Sequence, residues 1–448
     1  MGVKISIIGA GSAVFSLRLI RDLCRTPGLA DSAVSIMDID AGRLDDVHRL
    51  FTRYVREVGS RLRIEKTLDR RQSLRGADFV VNTAMVGGYD HWKEGWRIAQ
   101  RLGYRFGGSL HVMHDEAFWV NSYQLQLMES IIQDFLDICP DAWLLLVANP
   151  VLAGVTFLTR KYRGAKVVGM CHGFEGVFDV ARVLALDPEK ISFEIPGVNH
   201  FVWMNRFAYE GRDAFPLLDR WVEQMSEGYF RTCSPCDSMG PKAIDLYRHF
   251  GVFPVGDTGT PGGGSWGYWY HKDKKTERRW NEDPSGWFER YVADGRRTLV
   301  DIQSAARDPT IRVADAYPGT SGEPMVPLIE VIACNVERVV IVNIPNSGEF
   351  VEGVPADFEV EVPAIVNAKG IAGKKTKRLP EAVLSFLTRD RIAPVELELE
   401  AYRSGRRACM IDLLLMDPWT RSGEQAQKLF AEILELPFNG RMRKHFGA

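Results

Sequence analysis

Val3-Lys4-Ile5-Ser6-Ile7-Ile8-Gly9-Ala10-Gly11-Ser12-Ala13 is the stretch that decides the fold. Val3 to Ile8 is a short β-branched run of the kind buried on both faces of a parallel sheet. It breaks at a glycine turn, after which Val14, Leu17, Leu19, Ile20 and Leu23 mark a helix. Gly9 permits the tight turn and Gly11 lets the backbone approach a pyrophosphate, while the helix offers its free amides and dipole to negative charge. Gly9, Gly11, Ser12 and Ala13 are therefore candidate cofactor contacts. Val14 replaces the third glycine of the usual fingerprint, so the context has to support the reading. A second strand, Ala33 to Met37, ends at Asp38, where a carboxylate accepts hydrogen bonds from ribose hydroxyls and repels a 2′-phosphate. That favours NAD over NADP; the alternative is that Asp38 caps the next helix.

The alternation continues outward. Ala77 to Ala84 reads as a third buried strand running into a loop with Gly87 and Gly88, and Trp143 to Ala148 as a fourth, ending at Asn149-Pro150. A long amphipathic helix over 121–138 separates them. Val167 to Met170 is a fifth strand. Ligands of open parallel sheets bind beyond the carboxyl ends of the strands, where Gly9, Asp38, Thr83 and Asn149 all fall. Past residue 195 the texture changes, with strands at 191–195, 201–207, 339–344 and 358–362 and helices at 216–225 and 423–434. The reading is a Rossmann-like, doubly wound α/β domain over 1–195, then a mixed α+β substrate and oligomerisation domain over 196–448, as in lactate and malate dehydrogenases. The glycine-rich stretch 256–267 reads as a mobile loop over a site, 271–279 as a solvated charged surface and 318–327 as a loop.

Composition narrows the partners. The 448 residues carry 56 basic and 58 acidic side chains without a basic block, which argues against nucleic acid and for a small soluble ligand. Seven cysteines scattered from Cys24 to Cys409 fit reduced thiols better than a disulfide framework. No apolar run approaches the roughly 20 residues needed to span a bilayer, and Met1 to Ile8 runs straight into a strand, so a cytoplasmic protein without membrane attachment is expected.

The chemistry sits just after the fifth strand. Met170-Cys171-His172-Gly173-Phe174 and Gly197-Val198-Asn199-His200 pair a thiol with an imidazole, both good ligands for a divalent metal. A metal beside a nicotinamide ring points to chemistry at a carbon bearing a hydroxyl. A lone cysteine is more often a small buried hydrophobe than a ligand, and it is the paired motif that favours the metal reading. Cys233 and Cys236 resemble half of a zinc knuckle but lack a second pair.

Taken together, these residues resemble glycoside hydrolase family 4, the NAD- and divalent-metal-dependent glycosidases. The resemblance runs through Gly9-Ala10-Gly11-Ser12, Asp38, Asn149-Pro150, Cys171-His172, Gly197 to His200, Gly256-Asp257 and Val342 to Asn346. Cys-His-Gly looks like the α-glucuronidase version of the motif that tracks substrate class. The family implies NAD and a metal, usually Mn2+, with hydride loss from C3 of the sugar, deprotonation at C2, elimination at C1, water addition and hydride return, outside two-carboxylate glycoside hydrolysis. On that resemblance Cys171 and His200 hold the metal, and Asp257 is the C2 base unless it caps a loop. His172 is a proton donor to the leaving oxygen or shapes the pocket. Asn149 and Asn199 contact substrate or orient the site. Arg105 and Arg206 are candidates for a uronate carboxylate, as is Lys242, and His111, His114 and Asp115 fall where relatives place an active-site aspartate. Thr258-Gly259 stands where many relatives have Arg-His, which removes that arginine from substrate binding. The implied activity is α-glucuronidase acting on a small uronide or oligosaccharide, as a homodimer or homotetramer, with α-galacturonidase or α-glucosidase/galactosidase as alternatives. A lactate/malate-type dehydrogenase is the alternative of another class.

Overall fold

The computed structural model describes residues 2–12 and 14–447. Six strands form the first half of the main sheet: β1 (Lys4–Ile8), β2 (Ala33–Met37), β3 (Arg63–Thr67), β4 (Phe79–Asn82), β5 (Trp143–Leu146) and β6 (Val167–Gly169). They pair in parallel in the order β3-β2-β1-β4-β5-β6, the doubly wound nucleotide-binding arrangement that the opening stretch implies. Their inner residues, among them Ile5, Ile7, Val34, Ile36, Val80, Val81, Leu144 and Val168, are fully buried, because helices cover both faces.

The strand read from Ala77 to Ala84 is the fourth strand, not the third. The third, β3, is an edge strand of sequence Arg-Ile-Glu-Lys-Thr whose side chains are mostly exposed or half-exposed, so it carries no apolar signature. A helix over Gly88–Arg101 also follows where only a glycine loop was read; Gly87 stands before it at φ 72°, a left-handed turn that a glycine makes without strain.

The sheet does not stop at β6. The chain continues through β7 (Ile191–Glu194), β8 (Gly197–Val198), β9 (Phe201–Met204), β10 (Arg206–Tyr209), β11 (Arg212–Asp213), β12 (Phe253–Val255), β13 (Arg338–Pro345), β14 (Glu359–Asn367) and β15 (Gly370–Gly373). β13 pairs antiparallel with β6, and β14, β8, β9 and β12 follow outward. Strand 201–207 is in fact two: it breaks at Asn205, with β9 in the main sheet and β10 in a small sheet with β7 and β11.

One row of pairings positions the site. Gly169 faces Asn343, Asn343 faces Glu361, Glu361 faces Gly197, and Gly197 faces Val202. Cys171 lies two residues past Gly169, and Asn199 and His200 form the two-residue hairpin between β8 and β9, so both motifs reach the same edge. The stretch 256–267, expected to be mobile, is instead packed into short 3-10 turns, with Pro261, Gly262, Gly263 and Trp266 buried. The Thr258 hydroxyl exchanges hydrogen bonds with both Val202 backbone groups at 2.8 Å, and the Trp266 indole N–H donates to Thr258 O at 2.8 Å. The run 271–279 is largely exposed as expected, except that His271 is buried against Gly107 O.

Candidate active site

Gly9 adopts φ 85°, and a Cβ there would fall 2.3 Å from Ala84 Cα, so only glycine fits between β1 and β4. Gly11 has a different constraint. Its amide donates to Asp38 Oδ2 at 2.8 Å, and a Cβ would sit 2.7 Å from the Asp38 carboxyl carbon. The other Asp38 oxygen accepts from Asp40 N at 2.9 Å. The cap of the helix Ala41–Glu57 is Asp40, whose carboxylate accepts from Arg43 N, so Asp38 is free of that duty. Ser12 ends the 3-10 turn Ala10–Ser12, and the helix Val14–Cys24 follows; Ala13 lies outside the described residues. Thr83 is turned inward, its hydroxyl 3.1 Å from Ile8 O and 3.2 Å from Gly9 O, where it braces the turn. A glycine cradle beside a carboxylate held at the second strand's end by the Gly11 and Asp40 amides fits the pyrophosphate and ribose of a dinucleotide.

At the same sheet edge a pocket opens, lined by Asn149, Cys171, His172, His200, Asp257 and Glu323 together with the aromatic rings of Phe15, Trp287, Phe288 and Tyr291. One donor atom each from Cys171, His200 and Asp257 lie within 4.8 Å of one another. The Nε2 of His200 is 3.4 Å from Asp257 Oδ2, and its Nδ1 is 3.1 Å from Glu116 Oε1. A thiol, an imidazole and a carboxylate converging this closely fit a divalent first-row transition ion. Burial pushes the Cys171 thiol up and the nearby Glu361 charge adds to it, while burial opposes the His200 imidazolium but Asp257, Cys171 and Glu116 outweigh it and raise His200 well above the usual histidine range.

Two further acid–imidazole pairs line the pocket. His114 Nδ1 is 2.7 Å from Asp115 Oδ1 and its Nε2 is 2.9 Å from Gly262 O. Burial disfavours charge on both partners, yet each is the other's counter-ion: His114 is raised and Asp115 lowered. Asp115 Oδ2 also accepts from the Tyr291 hydroxyl at 3.5 Å, and Asn149 lines the same pocket. His172 Nδ1 lies 3.5 Å from Glu323 Oε1, a carboxylate that also holds Arg18, and the Glu323 hydrogen bond raises His172.

Behind the cluster, Glu359 and Glu361 are fully buried on β14. Glu359 accepts from Asn199 N and Glu361 from Asn199 Nδ2, both at 3.2 Å. Burial lifts Glu361 to about 7 and Glu359 well above the carboxylate range. Asn199 is thus turned into the sheet and does not line the pocket.

Nor do the expected cations. Arg105 lies over Trp419 and donates to Lys272 O, Arg206 is exposed on β10, Lys242 is buried against Glu282, and His111 is buried against Glu398. Among the described residues the pocket wall holds no arginine or lysine; its cationic groups are His114, His172 and His200, with Arg18 next to His172 through Glu323. Glu116, Trp287, Tyr291, Glu323, Glu359 and Glu361 had no sequence motif to announce them. His114 and Asp115 did, since they lie in the region flagged for an active-site aspartate.

Fold and site together define a class: a dehydrogenase-type doubly wound sheet with a thiol–imidazole–carboxylate cluster at the carboxyl ends of its strands. The chain belongs to family 4 of the glycosyl hydrolases. "Family 4 glycosyl hydrolase" matches residues 4–186, and "Family 4 glycosyl hydrolase C-terminal domain" matches residues 195–420. An alpha-galacturonidase of Lachnoclostridium phytofermentans is 25% identical over 97% of this chain and 95% of its own length. An alpha-glucosidase of Erwinia rhapontici is 26% identical over 93% and 94%. The crystal structure of a 6-phospho-alpha-glucosidase from gut microorganisms, in complex with NAD and Mn2+, has the same fold at TM-score 0.78 and 18% identity, covering 99% of both chains.

Proposed function

We propose that this glycosidase uses NAD and a divalent ion, Mn2+ by preference, to hydrolyse α-linked uronides, with α-glucuronides as its substrates. The observation that carries the reading is the convergence of Cys171, His200 and Asp257 within 4.8 Å at the strand edge that also carries the Gly9 turn. Held by Cys171 and His200, the ion would supply Lewis acidity to the sugar's hydroxyl oxygens, and NAD in the Gly9 cradle would supply a reversible hydride acceptor.

The chain's own groups do the rest. Cys171 and His200 hold the ion. Asp257, in the pocket wall 3.4 Å from His200 Nε2, takes the C2 proton. His172, whose pKa the Glu323 hydrogen bond raises, gives a proton to the departing C1 oxygen. Gly9, Gly11, Ser12, Asp38 and Thr83 form the NAD cradle, and Asn149, in the pocket wall, faces the sugar. The uronate carboxylate pairs with Arg18, which approaches the pocket beside Glu323, in place of Arg105 and Arg206. The relative from Lachnoclostridium, an alpha-galacturonidase, favours a second reading in which the C4 hydroxyl has the opposite orientation.

The test is a panel of aryl α-glucuronide, α-galacturonide, α-glucoside and α-galactoside with NAD, Mn2+ and a thiol reductant. Phenol release from the uronides without NADH build-up is expected. Faster turnover of the neutral sugars refutes the uronide assignment, and net NADH formation makes the protein a dehydrogenase.

A further inference from the structure

We propose that Glu116 is a positioning residue for the metal: it holds the Nδ1 side of His200 so that Nε2 is presented to the ion. This rests on His200 being a metal ligand. The two ring nitrogens face separate carboxylates, Glu116 Oε1 at 3.1 Å from Nδ1 and Asp257 Oδ2 at 3.4 Å from Nε2; Nδ1 and Glu116 Oε1 are both buried with no hydrogen-bond partner elsewhere, and of the two acids only Asp257 belongs to the donor cluster. Glu116 is 3% exposed, so water does not compete for its carboxylate. Nearby, the fully buried Arg391 guanidinium donates to Gly263 O, and the opposing charges of Asp390, Glu116 and Asp257 act on it.

The backbone of the same histidine is fixed from the other side. His200 adopts φ 60°, a conformation that non-glycine residues rarely hold, and the residue before it is tied to Glu359 and Glu361. With the hairpin set by β14, ring rotation is the freedom left, and Glu116 is the group placed to remove it. A carboxylate on the far nitrogen of a ligating histidine fixes the ring's tautomer and orientation and makes the near nitrogen more basic.

The experiment titrates Mn2+ into the full-length protein, following free Mn2+ by its electron paramagnetic resonance, for the parent, Glu116→Gln, Glu116→Ala and His200→Ala. Melting temperature in chelator and NAD affinity serve as folding controls. Loss of Glu116 should weaken Mn2+ binding by about 10- to 100-fold, more for alanine than for glutamine, which keeps an acceptor oxygen. NAD affinity should not change. Should the alanine variant fail to fold, the isosteric glutamine variant decides. Mn2+ binding equal to the parent's in the folded Glu116 variants overturns the proposal while leaving His200 a ligand. Equal binding by the parent and His200→Ala overturns both the proposal and the metal reading beneath it.

Discussion

Gly11→Ala tests whether the glycine turn works through Asp38. The added Cβ would lie 2.7 Å from both Cγ and Oδ2 of Asp38, so the carboxylate has to swing away. It then loses the 2.8 Å hydrogen bond from Gly11 N and leaves the place where ribose hydroxyls would meet it. Hydrogen bonds to a charged group contribute about 1.5–3 kcal/mol each, so NAD binding should weaken by roughly 10- to 100-fold. The fold should survive, because the clash is with the end of a side chain; at Gly9 the same change meets Ala84 backbone at 2.3 Å and should unfold the turn. NAD affinity by calorimetry, with Asp38→Ala and the double variant completing a cycle, is the assay. Gly11→Ala should cost much less once Asp38 is absent, since the two changes share one interaction. Full additivity, or unchanged NAD affinity in Gly11→Ala, would refute the argument.

Cys171→Ser should lower aryl uronide hydrolysis by about 10³-fold, on the order of 4 kcal/mol of lost Lewis-acid stabilisation, while NAD affinity by calorimetry stays at the parent value; activity near the parent's removes the thiol from the metal site. Glu361→Gln addresses pH and stability. The folded state holds this carboxyl at about 7 against an ordinary 4.5, a gap worth on the order of 3 kcal/mol. Because the folded value is raised, that stability is present below pH 4.5 and is lost as pH rises through about 7. Melting of the metal-free parent should fall between pH 4.5 and about 7, and the glutamine variant should lose much of that fall; parallel curves would show that Glu361 does not titrate with folding.

The parts of the fold that could be read from the chain are those whose signal is local. β1, its turn and Asp38 lie within one strand–turn–helix–strand unit, and Cys171 and His200 each sit in a short motif, so neighbours in sequence suffice to identify them. β3 was illegible because an edge strand of Arg, Ile, Glu, Lys and Thr turns only Ile64 toward the core, too little for an apolar pattern. Glu116 was illegible for the opposite reason: its meaning depends on His200, 84 residues away, and on a hairpin that only the assembled sheet brings near.

β14 shows why the remainder resisted. Phe358 to Val362 alternates apolar and acidic residues, and period-two alternation is the ordinary mark of a strand with one face in the core and one in water. The strand is there, yet Glu359 and Glu361 are 0% and 1% exposed. Their face meets Asn199, Asn343 and the donor cluster, not solvent. A polar face records only that something polar lies opposite, and water and a reaction site satisfy that condition equally. What distinguishes them is the energy: a carboxylate facing water stays near its ordinary range, whereas one enclosed beside other acids is driven up, as these two are. The enclosed pair is tolerated because Asn199 supplies two donors and because a cation bound to Cys171 and His200 would offset the surplus negative charge. The buried acids of β14 are therefore a cost that the metal-free fold carries, and the glutamine exchange at Glu361 should relieve that cost most where the pH is highest.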